Sequence, residues 1–148
     1  MPQNPCIIAT KSPSAEVCIF DYTKHPSVPA GSASGLGTQK ASPQLTLLGH
    51  KKEGYGLSWS PATQGRLLSG ADDGMICYWD LNTMEASANT LMATRTFTEH
   101  TSVVEDVAWH PQQADIFGSV GDDGRFLLWD MRSASMCKAD MPHSLLRQ

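Results

Sequence analysis

The chain has 148 residues, 41% of them apolar, and a formal net charge of -4, so it is about the length of one domain with a mild acidic bias. Lys51-Lys52 is its one block of adjacent cations, which excludes the dense basic patch that direct nucleic-acid binding uses to displace counterions. No apolar run approaches the ~18 residues of a membrane span, Met1 to Pro5 lacks the regions of a signal peptide, and Cys6, Cys18, Cys77 and Cys137 form no CxxC pair; these features point to a soluble, nuclear or cytosolic protein with reduced thiols.

In chain order, Cys6 to Thr10 and Val17 to Phe20 read as two short strands joined through Ser12-Pro13-Ser14. Residues 24–43 then shift to Pro, Gly, Ser and Ala, the composition of a mobile loop that carries too little apolar surface to offset its ordering entropy. Further strands are expected at Gln44 to Leu48, Tyr55 to Ser60, Arg66 to Ala71 and Met75 to Leu81, with Asp73-Gly74 as a tight two-residue hairpin turn. Residues 82–94 form a second polar connection. Strands follow at Arg95 to Thr98, Val104 to His110, Ile116 to Gly121 and Arg125 to Met131, and residues 132–148 read either as the start of a further blade, with its outer strand near Met136 to Ala139, or as a frayed tail.

The order of strands repeats, and so does the punctuation. His50, Trp59, Pro61, Ser69, Asp72-Asp73-Gly74 and Trp79-Asp80 recur fifty positions later as His100, Trp109, Pro111, Ser119, Asp122-Asp123-Gly124 and Trp129-Asp130. A period of this size marks a repeat architecture. The units are 44–81 and 95–131, preceded by the second half of a degenerate unit at 1–23, where Thr10 and Phe20 keep the spacing of Ser69 and Trp79. The runs Met75 to Trp79 and Phe126 to Trp129 have no polar alternation, which predicts strands covered on both faces by stacked sheets. A ring of such blades needs about twice this length or more, so the expected architecture is all-β and an incomplete propeller: two full four-stranded blades with partial blades at each end. Its open ends predict poor solubility or self-association for the isolated chain.

A His, a Ser and an Asp at fixed spacing invite a hydrolase reading, with Ser119 as nucleophile, His100 as base and Asp123 as orienter. The constellation occurs twice, each time with a tryptophan at the same distance, which an active site does not require. The residues predict instead a hydrogen-bonded network in each blade, His50–Ser69–Asp73–Trp79 and His100–Ser119–Asp123–Trp129, in which Asp accepts from His, His meets the hydroxyl and the hydroxyl meets the indole. No spacing of His, Cys or carboxylates suits a metal, and no catalysis or cofactor is expected.

Gly49-His50 to Trp79-Asp80 and His100 to Trp129-Asp130 resemble WD40 repeats. Several stretches are more specific: Met1 to Pro5 with Ile7 to Lys11, Phe20 to Pro26, Gly49 to Trp59, Val103 to His110 and Phe117 to Val120 resemble the retinoblastoma-binding histone-chaperone family. That resemblance implies a seven-bladed propeller that binds histones as a shared nuclear subunit of chromatin assembly, histone deacetylase and Polycomb complexes. It further implies that Glu53, Tyr55 and Glu105 belong to an acidic top rim that holds the basic tail of histone H3. The family's elements for gripping histone H4 have no counterpart here, which leaves H4 the least supported partner. Trp129, Asp130 and Arg132 also fit the WDxR box with which some WD40 proteins dock on the adaptor of cullin-4 ubiquitin ligases.

Overall fold

The computed structural model describes residues 1–24 and 42–133, together with the backbone of 137–142. Among these residues it contains twelve strands and two short 3-10 turns. The strands are β1 (Ile7–Lys11), β2 (Val17–Asp21), β3 (Leu45–Leu48), β4 (Leu57–Trp59), β5 (Arg66–Gly70), β6 (Ile76–Asp80), β7 (Thr90–Met92), β8 (Arg95–Phe97), β9 (Val104–Trp109), β10 (Ile116–Gly121), β11 (Arg125–Asp130) and β12 (Cys137–Pro142). They form three four-stranded sheets, in the orders β1-β2-β3-β7, β4-β5-β6-β8 and β9-β10-β11-β12.

Sheets and sequence units are out of step by one strand. β3, the first strand of the unit 44–81, pairs with β2 through Val17↔Leu47, Cys18↔Thr46 and Ile19↔Leu45, and so closes the preceding sheet. β8 does the same for the second sheet through Ile76↔Phe97. Each outer strand therefore clasps a sheet to the next unit in sequence.

The connection 82–94 is not wholly irregular, because Thr90 to Met92 forms β7 and pairs parallel with β3. Three residues are too few for alternation to show, and what makes them a strand is the otherwise unpaired edge of β3. The turns also differ from the expected hairpin. Asp72, Asp73 and Gly74 form a three-residue loop, with Gly74 N–H donating to Ala71 O at 3.1 Å and only the glycine left-handed, at φ +74°. Gly124 N–H likewise donates to Gly121 O at 3.0 Å, with φ +73°. An aspartate at negative φ in the middle of the loop is free to cap it.

β6 is buried from Ile76 to Trp79, as expected of a strand covered on both faces. β11 alternates instead, Leu127 and Trp129 being buried and Phe126 and Leu128 half-buried. The core lies between sheets. Leu67, Cys77 and Trp79 of the second sheet pack on Val17, Ile19, Leu45 and Leu47 of the first. On the other side Leu68, Ile76, Tyr78 and Phe97 meet Val107, Trp109, Phe117, Leu127 and Trp129 of the third. Aromatic geometry fixes this second seam, since Phe97 meets Trp129 edge-on at 4.9 Å and Phe117 edge-on at 5.2 Å, each pair contributing about 1 kcal/mol beyond burial. Polar ties reinforce it: Trp109 Nε1–H donates to Ser58 O at 3.1 Å, and Arg66 Nη1 to Asp115 Oδ1 at 3.2 Å.

The loop predicted across 24–43 lies outside the described residues from 25 to 41, and the tail lies outside them at 134–136 and 143–148.

Candidate functional site

The His, Ser and Asp side chains come together in both complete units. In the third sheet His100 Nδ1–H donates to Asp123 Oδ2 at 2.8 Å, Ser119 Oγ–H donates to His100 Nε2 at 2.8 Å, and Trp129 Nε1–H donates to Ser119 Oγ at 2.8 Å. In this chain of donors Nδ1 of the ring donates and Nε2 accepts. Asp123 also accepts from Thr101 N–H and Arg125 N–H, both at 3.1 Å. Burial pushes its carboxyl up, but the hydrogen bonds from Thr101, His100 and Arg125 outweigh burial and hold it below the usual carboxylate range.

The second sheet repeats the arrangement with one link redirected. His50 Nδ1–H faces Asp73 at 3.3 Å, and His50 Nε2 lies 2.9 Å from Ser69 Oγ. The Trp79 indole donates not to Ser69 but to Leu48 O, at 3.1 Å. Gly49 accounts for this. A Cβ there would stand 2.9 Å from Ala93 Cβ, 3.1 Å from Cys77 Sγ and 3.7 Å from the Trp79 ring, so a residue without a side chain lets the backbone lie over the indole. Glu99 occupies the same place in the next unit.

In neither unit is the serine a nucleophile in an open site. Ser69 and Ser119 are 0% and 2% exposed, and Ser119 Oγ is engaged on both sides, by His100 and by Trp129. Among the described residues, no group of three His, Cys, Asp or Glu side chains is placed to hold a metal. The Cys6, Cys18 and Cys77 thiols are free, burial pushing Cys77 up to about 12; the Cys137 side chain lies outside the described residues.

The rim beside each histidine is built differently. Gly54 and Gly56 are buried on either side of Tyr55, and each is clamped: a Cβ on Gly54 would meet Ala71 Cα at 2.4 Å, and one on Gly56 would meet Asp106 Cα at 3.1 Å. Between these two fixed points Tyr55 projects outward, 81% exposed, with Glu53 also exposed. Glu53 O accepts from Asp72 N–H at 2.9 Å, tying this segment to the hairpin loop. In the third sheet the pairing steps from Val120↔Asp106 to Gly121↔Val104, leaving exposed Glu105 as the extra residue of a β-bulge. Bulges re-aim side chains. The contact of Gly56 with Asp106 brings the backbones beside Tyr55 and Glu105 together across the seam.

Sequence reasoning missed one member of this rim. Lys11, at the end of β1, donates its ammonium to Gly70 O, across the first seam. Burial depresses it to about 8, against the attraction of Asp73, Cys77 and Asp72. Burial likewise lowers His50, and the Lys11 cation adds to the effect. A lysine at a strand end carries no signal in sequence that it turns inward. At the opposite end of the third sheet, Arg132 closes on Asp130 through Nε–Oδ1 at 2.9 Å and Nη2–Oδ2 at 2.5 Å, holding that carboxyl down to about 2, while its side chain stays 70% exposed.

A family model described as "WD domain, G-beta repeat" matches residues 41–80 and 92–130, more than half of the chain. Among solved structures, the chain is similar to one in a crystal structure of a mitotic checkpoint complex, with 22% identity and a TM-score of 0.67 over 95% of this chain. It spans 38% of that chain's length, and at this identity the likeness shows the fold alone.

Proposed function

We propose that this chain, which belongs to the WD40-repeat family, is a non-catalytic interaction scaffold of chromatin complexes that binds the basic N-terminal tail of histone H3 on the rim carrying Glu53, Tyr55 and Glu105. The scaffold role follows from the family and from serines buried in structural networks. The choice of a basic tail rests mainly on Tyr55, an aromatic ring 81% exposed between two clamped glycines with carboxylates at Glu53 and across the seam at Glu105. A cation stacked on such a ring gains about 0.5–2 kcal/mol, and carboxylates beside it add charge-assisted hydrogen bonds to Arg or Lys. Both effects are available without any rearrangement of the backbone.

The test is a titration of a histone H3 N-terminal peptide into the chain and into its Glu53→Lys and Glu105→Lys variants. Each reversal of charge is expected to weaken binding about tenfold or more. Unchanged affinity in both variants overturns the proposal.

A second reading, docking on a cullin-4 ligase adaptor through Trp129, Asp130 and Arg132, draws on the guanidinium held by Asp130 yet turned to solvent. Arg132→Ala then abolishes capture of the adaptor while tail binding persists; no capture by the unaltered chain removes this reading.

A further inference from the structure

The loops that join β1 to β2, β5 to β6 and β10 to β11 follow one backbone path. Ser12 N–H donates to Glu16 O at 3.2 Å across the first, as Ala71 N–H donates to Met75 O at 3.3 Å across the second. Inside the loops Ala15 N–H donates to Ser12 O at 3.2 Å, Gly74 N–H to Ala71 O at 3.1 Å and Gly124 N–H to Gly121 O at 3.0 Å. The donor of that inner bond is left-handed in all three, with φ +70° at Ala15, +74° at Gly74 and +73° at Gly124. Ala15 is the one residue other than glycine in this region among the described residues, so the first loop keeps the shared path against the crowding of its own Cβ.

What differs is the residue before the left-handed one: Asp73 in the second loop, Asp123 in the third and Ser14 in the first. Asp73 Oδ1 accepts from Met75 N–H at 3.0 Å and Asp123 Oδ1 from Arg125 N–H at 3.1 Å, so each complete unit closes its loop with an anion on the amide two residues ahead. In the first loop that amide belongs to Glu16, and it has no acceptor among the described residues. The Ser14 hydroxyl is engaged elsewhere, 2.7 Å from Ser12 Oγ and 3.4 Å from Glu16 Oε2. Pro13 and Ser14 stand exposed at the tip. A loop shaped around an anion therefore carries a hydroxyl, and a hydroxyl can acquire one.

We propose that Ser14 is a phosphorylation site, and that its phosphate takes the place of the Asp73 and Asp123 carboxylates and caps the first loop. The co-substrate is ATP, brought by a serine kinase. Ser14 Oγ forms a bond to the γ-phosphorus, the bond from that phosphorus to the β–γ bridging oxygen breaks, ADP leaves, and the hydroxyl proton passes to the base of the kinase. The phosphorus then lies one bond beyond Oγ, where an aspartate carries its Oδ atoms, and its oxygens reach the N–H of Glu16 as a charge-assisted hydrogen bond. The Glu16 carboxylate opposes the added charge. Lys11, at the base of the same hairpin with its ammonium on Gly70 O, offsets it. This site is independent of the reading of the rim.

The test has two arms, both on the whole chain. In the first, the chain is incubated with ATP and a cell extract and its phosphosites are mapped by mass spectrometry. Phosphate on Ser14 is expected; none there, or phosphate on Ser12 alone, overturns the assignment. In the second, the chain is made with phosphoserine at position 14 and amide exchange is followed residue by residue. The Glu16 amide is expected to exchange about tenfold more slowly than in the unmodified chain. Ser14→Asp, which gives the first loop the acid of the other two, is expected to slow the same amide, whereas Ser12→Ala leaves the effect of the phosphate in place. A Glu16 amide unprotected in the phosphorylated chain overturns the proposal.

Discussion

The second and third sheets carry the same four residues at the same spacing and connect them differently. Around Ser119 the donors run without a break from the Trp129 indole to the hydroxyl, the His100 ring and the Asp123 carboxylate. Around Ser69 the last link is diverted, because Gly49 lets the backbone settle over Trp79 and offers Leu48 O to the indole. The indole is satisfied in both sheets, but the serine serves two partners in one and one in the other. A buried polar network is thus defined by which groups it satisfies, and the residue before the histidine decides that.

The largest effect expected from this difference is on stability. Ser119→Ala leaves both the Trp129 indole N–H and His100 Nε2 without their partner, and should cost about 2–4 kcal/mol in denaturant unfolding. Ser69→Ala leaves only His50 Nε2 without its hydroxyl partner, because Trp79 keeps Leu48 O; a cost of about 1–2 kcal/mol is expected. Equal costs at the two serines would show that the diverted indole bond does not matter.

Next in size is the response to acid. His50 is buried and its protonation is held below the ordinary value of 6.5 by burial and then by Lys11, so the folded chain refuses a proton that the unfolded chain takes. Its contribution to stability is complete above about pH 6.5 and is lost as pH falls from there toward the lowered folded-state value. Lys11→Met removes the neighbouring cation, and the ring titration followed by NMR should shift upward. A His50 titration unmoved by this change would rule out the coupling across the first seam.

Much of the comparison was legible in the sequence. The fifty-residue recurrence of His, Ser, Asp and Trp identified the network around Ser119 and the His50, Ser69 and Asp73 links of the other, but the expected bond from the Trp79 indole to Ser69 goes to Leu48 O instead; the absence of alternation in Met75 to Trp79 foretold a strand covered on both faces. What escaped depends on contacts distant in sequence or on small backbone changes. β7 is a strand because the edge of β3 lies beside it, and Lys11 matters because the second sheet lies across from it. Asp-Gly suggests a two-residue turn, yet Asp73 keeps negative φ and caps the loop, accepting from Lys51 N–H at 2.7 Å and Met75 N–H at 3.0 Å. The exposure of Tyr55 has a local cause in Gly54 and Gly56, but its significance appears only once Ala71 and Asp106 are seen to clamp them.

The smallest expected effect on folding falls on the rim, and it separates scaffold from function. Tyr55→Ala removes a side chain 81% exposed and should change unfolding stability by no more than about 0.5 kcal/mol. The decisive measurement is the affinity of that variant for a histone H3 N-terminal peptide, read beside its unfolding midpoint. Binding weakened about tenfold with an unchanged midpoint is the predicted result, and full affinity in a stably folded Tyr55→Ala chain would contradict the assignment of the rim as the binding site.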